Sequence, residues 1–228
     1  MHKIIIALAL FVAASAAAAP FQNGSFENHA GGERKGFGDV MLSNGDGSIT
    51  GWVVTGSNID YLGSYWVAAD GTFSLDLNGV DQGGIAQTFD TVPGQPYLVT
   101  FVLAGNPDAG GPVKSIQVQA SGGSASTYSF DTTGHSVTSM GWTGQTYTFT
   151  ATSTSTTLGF SSLETGAGGP ALDNVVVAPL APTGGNVYTV PTLSTWAGLL
   201  LLAGLLGTAL WWQRGRETTH SDASDPRD

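Results

Sequence analysis

The segment Gln145-Thr146-Tyr147-Thr148-Phe149-Thr150 decides the fold class, because large aromatic residues alternate in it with threonines. A period of two places the two kinds of side chain on opposite faces of an extended strand. No amphipathic helix pattern appears between Phe21 and Val177, and Gly-, Asn-, Asp- and Pro-rich turns separate further runs of this kind: GWVV at 51–54, FSLDL at 73–77, YLVTFVL at 97–103, SIQVQA at 115–120 and LDNVVV at 172–177. The pattern predicts an all-β, antiparallel sandwich.

The amino-acid composition excludes several classes of function. The chain has 228 residues with 33 glycines, only 11% charged residues and a net charge of -10. Between its two apolar ends the basic residues are Arg34, Lys35 and Lys114 alone, so no cationic stripe exists to neutralise phosphates, and nucleic acid is excluded as a partner. Cysteine is absent, which excludes disulfides, Cys-ligated metals and thiol nucleophiles.

The first 19 residues have the pattern of a signal peptide. Lys3 precedes a short apolar run, and a series of small residues follows it. A membrane anchor is the alternative, but the apolar run is short for a span. Cleavage directly before Pro20 is sterically awkward, which favours a cut after Ala18. The protein is therefore expected to be exported across the inner membrane.

A second apolar stretch, Trp196 to Trp212, predicts a single transmembrane helix. It is rich in Leu, Ala and Gly, and aromatic residues stand at both of its edges. Arg214 and Arg216 follow it and place the C-terminus in the cytoplasm, which leaves the β domain outside. A buried core helix is the alternative interpretation.

The residues before this stretch resemble the IPTLxxWG-type C-terminal sorting signal of Gram-negative bacteria. The matching positions are Val190, Pro191, Thr192, Leu193 and Trp196. The resemblance implies recognition by an exosortase, a membrane protease-transpeptidase that cuts near the motif and passes the outer domain to the cell surface. Val190 stands in place of the usual Ile, Ala197 in place of Gly, and the polar tail is long, so a permanent single-pass anchor is the alternative.

The predicted organisation follows from these patterns. It consists of a signal peptide at 1–19, a β-sandwich domain at 20–179, a linker at 180–189, a sorting signal with its transmembrane helix at 190–216, and a polar cytoplasmic tail at 217–228. The mature protein is expected first at the membrane and then at the cell surface or outside the cell.

An ordered set of short segments in the β region resembles galactose-binding-like jelly-roll modules, and most closely the bacterial choice-of-anchor C family. The segments are NGSFE at 23–27, GW at 51–52, GSYW at 63–66, DGTFSLDLNG at 70–79, QTF at 87–89, PGQPY at 93–97, GW at 141–142 and GPALDNV at 169–175. A plant cell-wall protein family and carbohydrate-binding modules of the same fold are more distantly similar. The resemblance implies a jelly-roll sandwich. It also implies a family whose members share this domain but differ in their C-terminal anchoring signals.

The resemblance also implies a calcium site. Glu27 and Asp173 stand where galactose-binding-like modules often hold a structural calcium ion, and such an ion takes six to eight oxygen ligands. The alternative is that both carboxylates are solvated or cap turns.

Carbohydrate binding is the expected function. Sugar rings lie against aromatic faces while directional polar groups orient their hydroxyls. Trp52 and Trp142 are expected in the core, and the candidates for the sugar site are Tyr61, Tyr65 and Trp66, with Asn78, Gln87 and Asn106 as hydrogen-bonding partners.

No catalytic motif accompanies these residues, so the protein is predicted to be a non-enzyme that binds exopolysaccharide or cell-wall glycan at the surface. One alternative is a structural or adhesive surface protein that binds no sugar. Another is a carboxylate-dependent glycoside hydrolase, which needs two acids at a defined separation.

Overall fold

The computed structural model describes residues 19–30 and 39–181. The predicted sorting motif, the transmembrane stretch and residues 1–18 of the predicted signal peptide lie outside these residues. The described part forms eleven strands: β1 Val40–Ser43, β2 Val53–Gly56, β3 Asn58–Leu62, β4 Ser74–Asp76, β5 Gly83–Asp90, β6 Pro96–Gly105, β7 Val113–Ala120, β8 Ser126–Asp131, β9 Thr143–Thr150, β10 Ser155–Ser162 and β11 Pro170–Pro179.

Two antiparallel sheets pack face to face as a jelly-roll sandwich. One sheet has six strands in the order β1-β3-β4-β11-β6-β9, and the other has five in the order β2-β5-β10-β7-β8. The prediction of an all-β antiparallel sandwich is confirmed. The described residues contain no helix, and hence none long and apolar enough to cross a membrane.

The core lies between the sheets and follows the period of two. Tyr147 and Phe149 point inward and are 4% and 5% exposed, while the threonines that alternate with them, at 146, 148 and 150, face solvent. Trp52 is 1% exposed, which confirms its predicted core position, and its ring packs against Phe26 at 5.4 Å. Trp142 is half-buried and packs against the same core.

The N-terminal segment is held against both sheets. The backbone N–H and carbonyl of Gln22 pair with the side chain of Gln87 at 2.8 and 2.9 Å. Further along, the Val175 N–H donates to the Gly24 carbonyl at 2.9 Å. Gln87 is buried, and its side-chain amide makes both of these hydrogen bonds. It therefore holds the N-terminal segment in place and does not face a ligand.

The connection between β3 and β4, residues 63–73, folds over the outer face of the six-stranded sheet. Its Trp66 is buried there and donates from Nε1 to the Ser74 hydroxyl at 2.7 Å. Trp142 donates from Nε1 to the Val67 carbonyl at 2.9 Å. This covering loop, residues 63–73, forms one wall of the cavity described next.

Candidate functional site

A cavity of about 330 Å³ opens on the outer face of the six-stranded sheet, beside the covering loop. Pockets of roughly 300–1,000 Å³ are typical of small-molecule sites. The described residues that line it are Asp39, Asp60, Leu62, Tyr65, Asp76 and Asn106.

The floor of the cavity comes from two neighbouring strands. Asp60 on β3 and Asp76 on β4 are direct cross-strand partners. Each lies next to a core residue, Tyr61 and Leu75 respectively, and side chains alternate along a strand, so both carboxylates point to the outer face. Directly opposed residues have Cβ atoms roughly 4.5–5.5 Å apart. The register therefore brings two acidic side chains together.

Asp76 is a fixed acceptor at the back of the cavity. Its Oδ1 accepts the backbone N–H groups of Asn78 and Gly169 at 2.9 and 2.8 Å, and its Oδ2 accepts Nδ2 of Asn106 at 2.9 Å. Burial raises the pKa of Asp76 to about 6, and these hydrogen bonds oppose the shift by favouring the charged form. The carboxylate is therefore largely ionised at pH 7 and held in one orientation.

Asp60 is the more accessible carboxylate. It is half-buried, and no group in the described part of the chain donates a hydrogen bond to it within normal distance. Partial burial raises the pKa of Asp60, and the neighbouring Asp39 carboxylate raises it further. Within the described part of the chain, the Asp60 oxygens have no donor that a ligand would have to displace.

Asn106 and Tyr65 complete the site from two different connections. The Asn106 amide is oriented at both ends, because its Nδ2 donates to Asp76 and its Oδ1 accepts the Asp108 N–H at 2.9 Å. Tyr65 is 40% exposed, and its hydroxyl donates to Asp108 Oδ2 at 2.8 Å. This hydrogen bond raises the pKa of Tyr65 above its ordinary value. The aromatic ring is therefore exposed at the rim but tethered at its far end.

Glu27 and Asp173 both bind the covering loop. Asp173 Oδ2 accepts the N–H groups of Ala69 and Asp70 at 2.8 and 2.9 Å, and Glu27 Oε1 accepts those of Thr72 and Phe73, both at 2.7 Å. Asp173 is fully buried, and burial raises its pKa to about 7. Residues from the first and last parts of the domain thus fasten the loop that carries Tyr65.

The calcium expectation at these two residues stays a prediction. Among the residues that the structure describes, no three His, Cys, Asp or Glu side chains come close enough to hold a metal ion together. Backbone N–H groups already satisfy the oxygens named above, so the loop has a source of order that needs no ion. A calcium ion bound by Glu27 and Asp173 would take its other ligands from backbone or amide carbonyls or from water.

Of the six residues predicted for the sugar site, Gln87 and three others do not face the cavity. Tyr61 is 1% exposed, and its hydroxyl donates to the Phe26 carbonyl at 2.6 Å. Trp66, within the covering loop, is 5% exposed. Asn78 is 0% exposed and donates to the carbonyls of Glu164 and Gly166. Burial therefore excludes Tyr61, Trp66 and Asn78 from direct stacking or bonding to a sugar, and only Tyr65 and Asn106 meet in one site.

The acidic residues of the cavity were not predicted from the sequence. A signal exists, because Asp60 and Asp76 each stand between two apolar residues in the sequence, and no Lys or Arg lies nearby. Their meeting, however, depends on β3 pairing with β4 in one register, which a single sequence does not specify.

Comparison with known proteins gives a family and several similar folds. Residues 19–178 match the family described as "Protein of unknown function (DUF642)". Halomucin of Haloquadratum walsbyi is 32% identical over 185 residues, a match that covers 76% of this chain and 2% of that protein.

Among solved structures, TmCBM61 in complex with beta-1,4-galactotriose has a TM-score of 0.47 at 15% identity, covering 71% of this chain and 99% of that one. A family 35 carbohydrate binding module from Clostridium thermocellum has a TM-score of 0.43 at 11% identity, with coverages of 60% and 97%.

Proposed function

The chain belongs to the DUF642 family, and we propose that it is a non-catalytic module that binds carbohydrate in the cavity beside Tyr65. One observation carries the proposal. The cavity places an exposed, tethered aromatic ring next to oriented carboxylate and amide groups, in a hollow of about 330 Å³. An aromatic surface combined with a few fixed polar groups is the arrangement that recognises a polyol ring.

The polar groups suit hydroxyls in particular. A carboxylate offers two acceptor oxygens, and Asp60 makes no hydrogen bond with the described residues that would have to be broken first. Asn106 retains a second N–H and a second lone pair beyond the bonds it already makes, so it can both donate and accept. A sugar hydroxyl also donates and accepts, and the site can satisfy both roles.

The site is also held in shape before any ligand arrives. Asp76 has three donors, Asn106 is bonded at both ends of its amide, and the Tyr65 hydroxyl is anchored on Asp108. Asp173 and Glu27 fasten the loop that carries Tyr65 through four backbone N–H groups. Little side-chain freedom remains to be lost on binding, which favours affinity from a small contact area.

The proposal extends to the ends of the chain. The signal-peptide pattern of residues 1–19 supports export, and the resemblance of residues 190–196 to a sorting signal supports transfer by an exosortase-like protease to the surface. The resemblance of the β-region segments to the choice-of-anchor C family also supports this organisation. Mass spectrometry of the mature protein from its host tests it, because a surface form that still contains residues 196–212 contradicts removal of the tail.

A hydrolase is the second candidate, and one observation favours it. Asp60 and Asp76 face each other on adjacent strands, and the pKa of each is raised. Glycosidases use two such carboxyl groups. Asp76, however, is 1% exposed and accepts three hydrogen bonds, so it has little access to a glycosidic oxygen. Release of reducing sugar from a polysaccharide, lost in Asp60→Asn, would establish this candidate over the binding module.

A glycan array tests the proposal itself. We expect the full-length protein, purified in mild detergent, to bind a defined subset of glycans, and Tyr65→Ala to lose binding to at least one glycan of that subset. Val67→Ala changes another exposed side chain of the same loop and is the matched control. Binding to no glycan at all would favour the purely structural or adhesive alternative.

A further inference from the structure

The outer face of the five-stranded sheet carries a groove that lies apart from the cavity beside Tyr65. Its volume is about 320 Å³, and its six described lining residues are Gln117, Gln119, Ser121, Thr157, Gly159 and Ser161. They come from β7, β10 and the turn after β7. The two sites therefore occupy opposite outer faces of the sandwich.

The floor of the groove is nearly free of side chains. Gly159 on β10 pairs with Ala86 on β5 and with Gln119 on β7. A Cβ atom at Gly159 would meet only the Gln119 carbonyl oxygen, at 3.9 Å, so open space lies above this position. Thr157 and Thr88 form one rim through a hydroxyl–hydroxyl hydrogen bond of 2.8 Å. A shallow channel thus lies over β7 and β10, and Thr88 of β5 stands beside it.

The chemistry of the groove selects a class of ligand. Its lining consists of amides, hydroxyls and one glycine, without a charged or large apolar side chain. Phosphates need cations, calcium needs carboxylates, and a protein interface needs an apolar centre. None of these requirements is met. Neutral polyols match the lining, because amides and hydroxyls both donate and accept.

We propose that this groove is a second carbohydrate site, which binds a neutral, linear polysaccharide over β10 and β7. The Gln117 amide has no hydrogen-bond partner among the described residues, and the Gln119 amide has only a long contact of 3.2 Å to the Gly123 carbonyl. Both can turn toward a sugar. With two sites on opposite faces, one protein molecule can bridge two polysaccharide chains.

A substitution that fills the groove tests whether polysaccharide binds there. Gly159→Leu places a side chain in the open floor and blocks the channel. Gly144→Leu is the matched control, because Gly144 also lies in a strand and a Cβ there meets nothing within 4 Å. The probes are soluble β-1,4-galactan, xylan and hydroxyethylcellulose, titrated against full-length protein in mild detergent, with circular dichroism to verify folding.

We expect at least one probe to bind, Gly159→Leu to weaken that binding at least tenfold in a Tyr65→Ala background, and Gly144→Leu to leave it unchanged. Beads coated with the probe should agglutinate with the unmodified protein but not with Gly159→Leu. If Gly159→Leu does not fold, Gln117→Ala combined with Gln119→Ala serves instead. The inference is overturned if no probe binds the Tyr65→Ala protein, or if the groove variants bind as well as the control. Loss of binding through Tyr65→Ala alone would leave the first site standing and remove the second.

Discussion

The free energy of unfolding should fall as the pH rises from about 4 to about 7. The cause is a pair of buried carboxyl groups, Asp76 and Asp173, whose pKa values burial raises to about 6 and about 7 from an ordinary value of 3.8. In this range the folded protein keeps protons that the unfolded chain has already released. The stabilisation that results is complete below about pH 4 and is lost above the folded pKa values.

The magnitude follows from the size of the shifts. One unit of pKa corresponds to about 1.4 kcal/mol, so Asp173 contributes at most about 4 kcal/mol and Asp76 about 3 kcal/mol over the whole range. Asp173 makes the free energy of unfolding depend on pH up to about pH 7, whereas the pH dependence due to Asp76 ends near pH 6. Between pH 6 and pH 7 the slope therefore belongs to Asp173.

Urea unfolding followed by tryptophan fluorescence, from pH 4.5 to pH 7.5 with a chelator present, measures this dependence. Asp173→Asn has no proton to release and should flatten the curve between pH 6 and pH 7. Asp90→Asn changes an exposed carboxyl group at the end of β5 and should leave the slope intact. A stability that is constant or rises with pH in the unmodified protein would show that burial does not raise the pKa of these two carboxyl groups, and the account of both would fail.

Three further predictions concern the fold and its loops. If Glu27 and Asp173 bind calcium, the ion will favour the charged form of Asp173. Calcium should then raise the unfolding midpoint and remove the fall in stability between pH 6 and pH 7. Identical unfolding midpoints in calcium and in chelator would contradict a calcium site. Trp52→Ala should destabilise the protein by about 3–5 kcal/mol in urea unfolding, because the ring is 1% exposed and packs between the sheets. A loss below about 1 kcal/mol would contradict the core position of Trp52. Lys114 is buried and donates from Nζ to the carbonyls of Ala109 and Gly168. Lys114→Met should therefore lower the free energy of unfolding by about 1–3 kcal/mol for each carbonyl left unsatisfied. An unchanged unfolding midpoint would show that water replaces the ammonium group.

The sequence predicts the sandwich well because the information is local. Threonine and aromatic residues alternate in β9, and the same alternation is seen in the structure as exposed and buried positions. The sequence predicts a core position for Trp52, and the structure buries it. Each of these inferences depends on neighbours along the chain and not on the register between strands.

The candidate site is harder to predict because it is non-local. Tyr61 and Tyr65 are only four residues apart, yet the first ends in the core at β3 and the second on an exposed loop. The pattern around them does not reveal where β3 ends. Asp60 and Asp76 become neighbours only through the pairing of β3 with β4, and Asn106 joins them because its connection follows β6 on the same outer face.

The resemblance supplied one relation that local patterns do not contain. It placed Glu27 and Asp173 at a common location although 146 positions separate them in the sequence, and both do bind the covering loop. The chemistry observed there is carboxylate to backbone N–H. A pattern of residue types cannot distinguish this arrangement from calcium ligation, because a carboxylate serves in either.

The most direct test of carbohydrate binding in the cavity is a calorimetric titration of the best glycan from the array into three proteins. These are the unmodified protein, Tyr65→Ala and Val67→Ala. We predict that Tyr65→Ala raises the Kd at least tenfold, which corresponds to about 1.4 kcal/mol, whereas Val67→Ala leaves the Kd unchanged. Equal Kd values for all three proteins would contradict the assignment of the sugar site to this cavity.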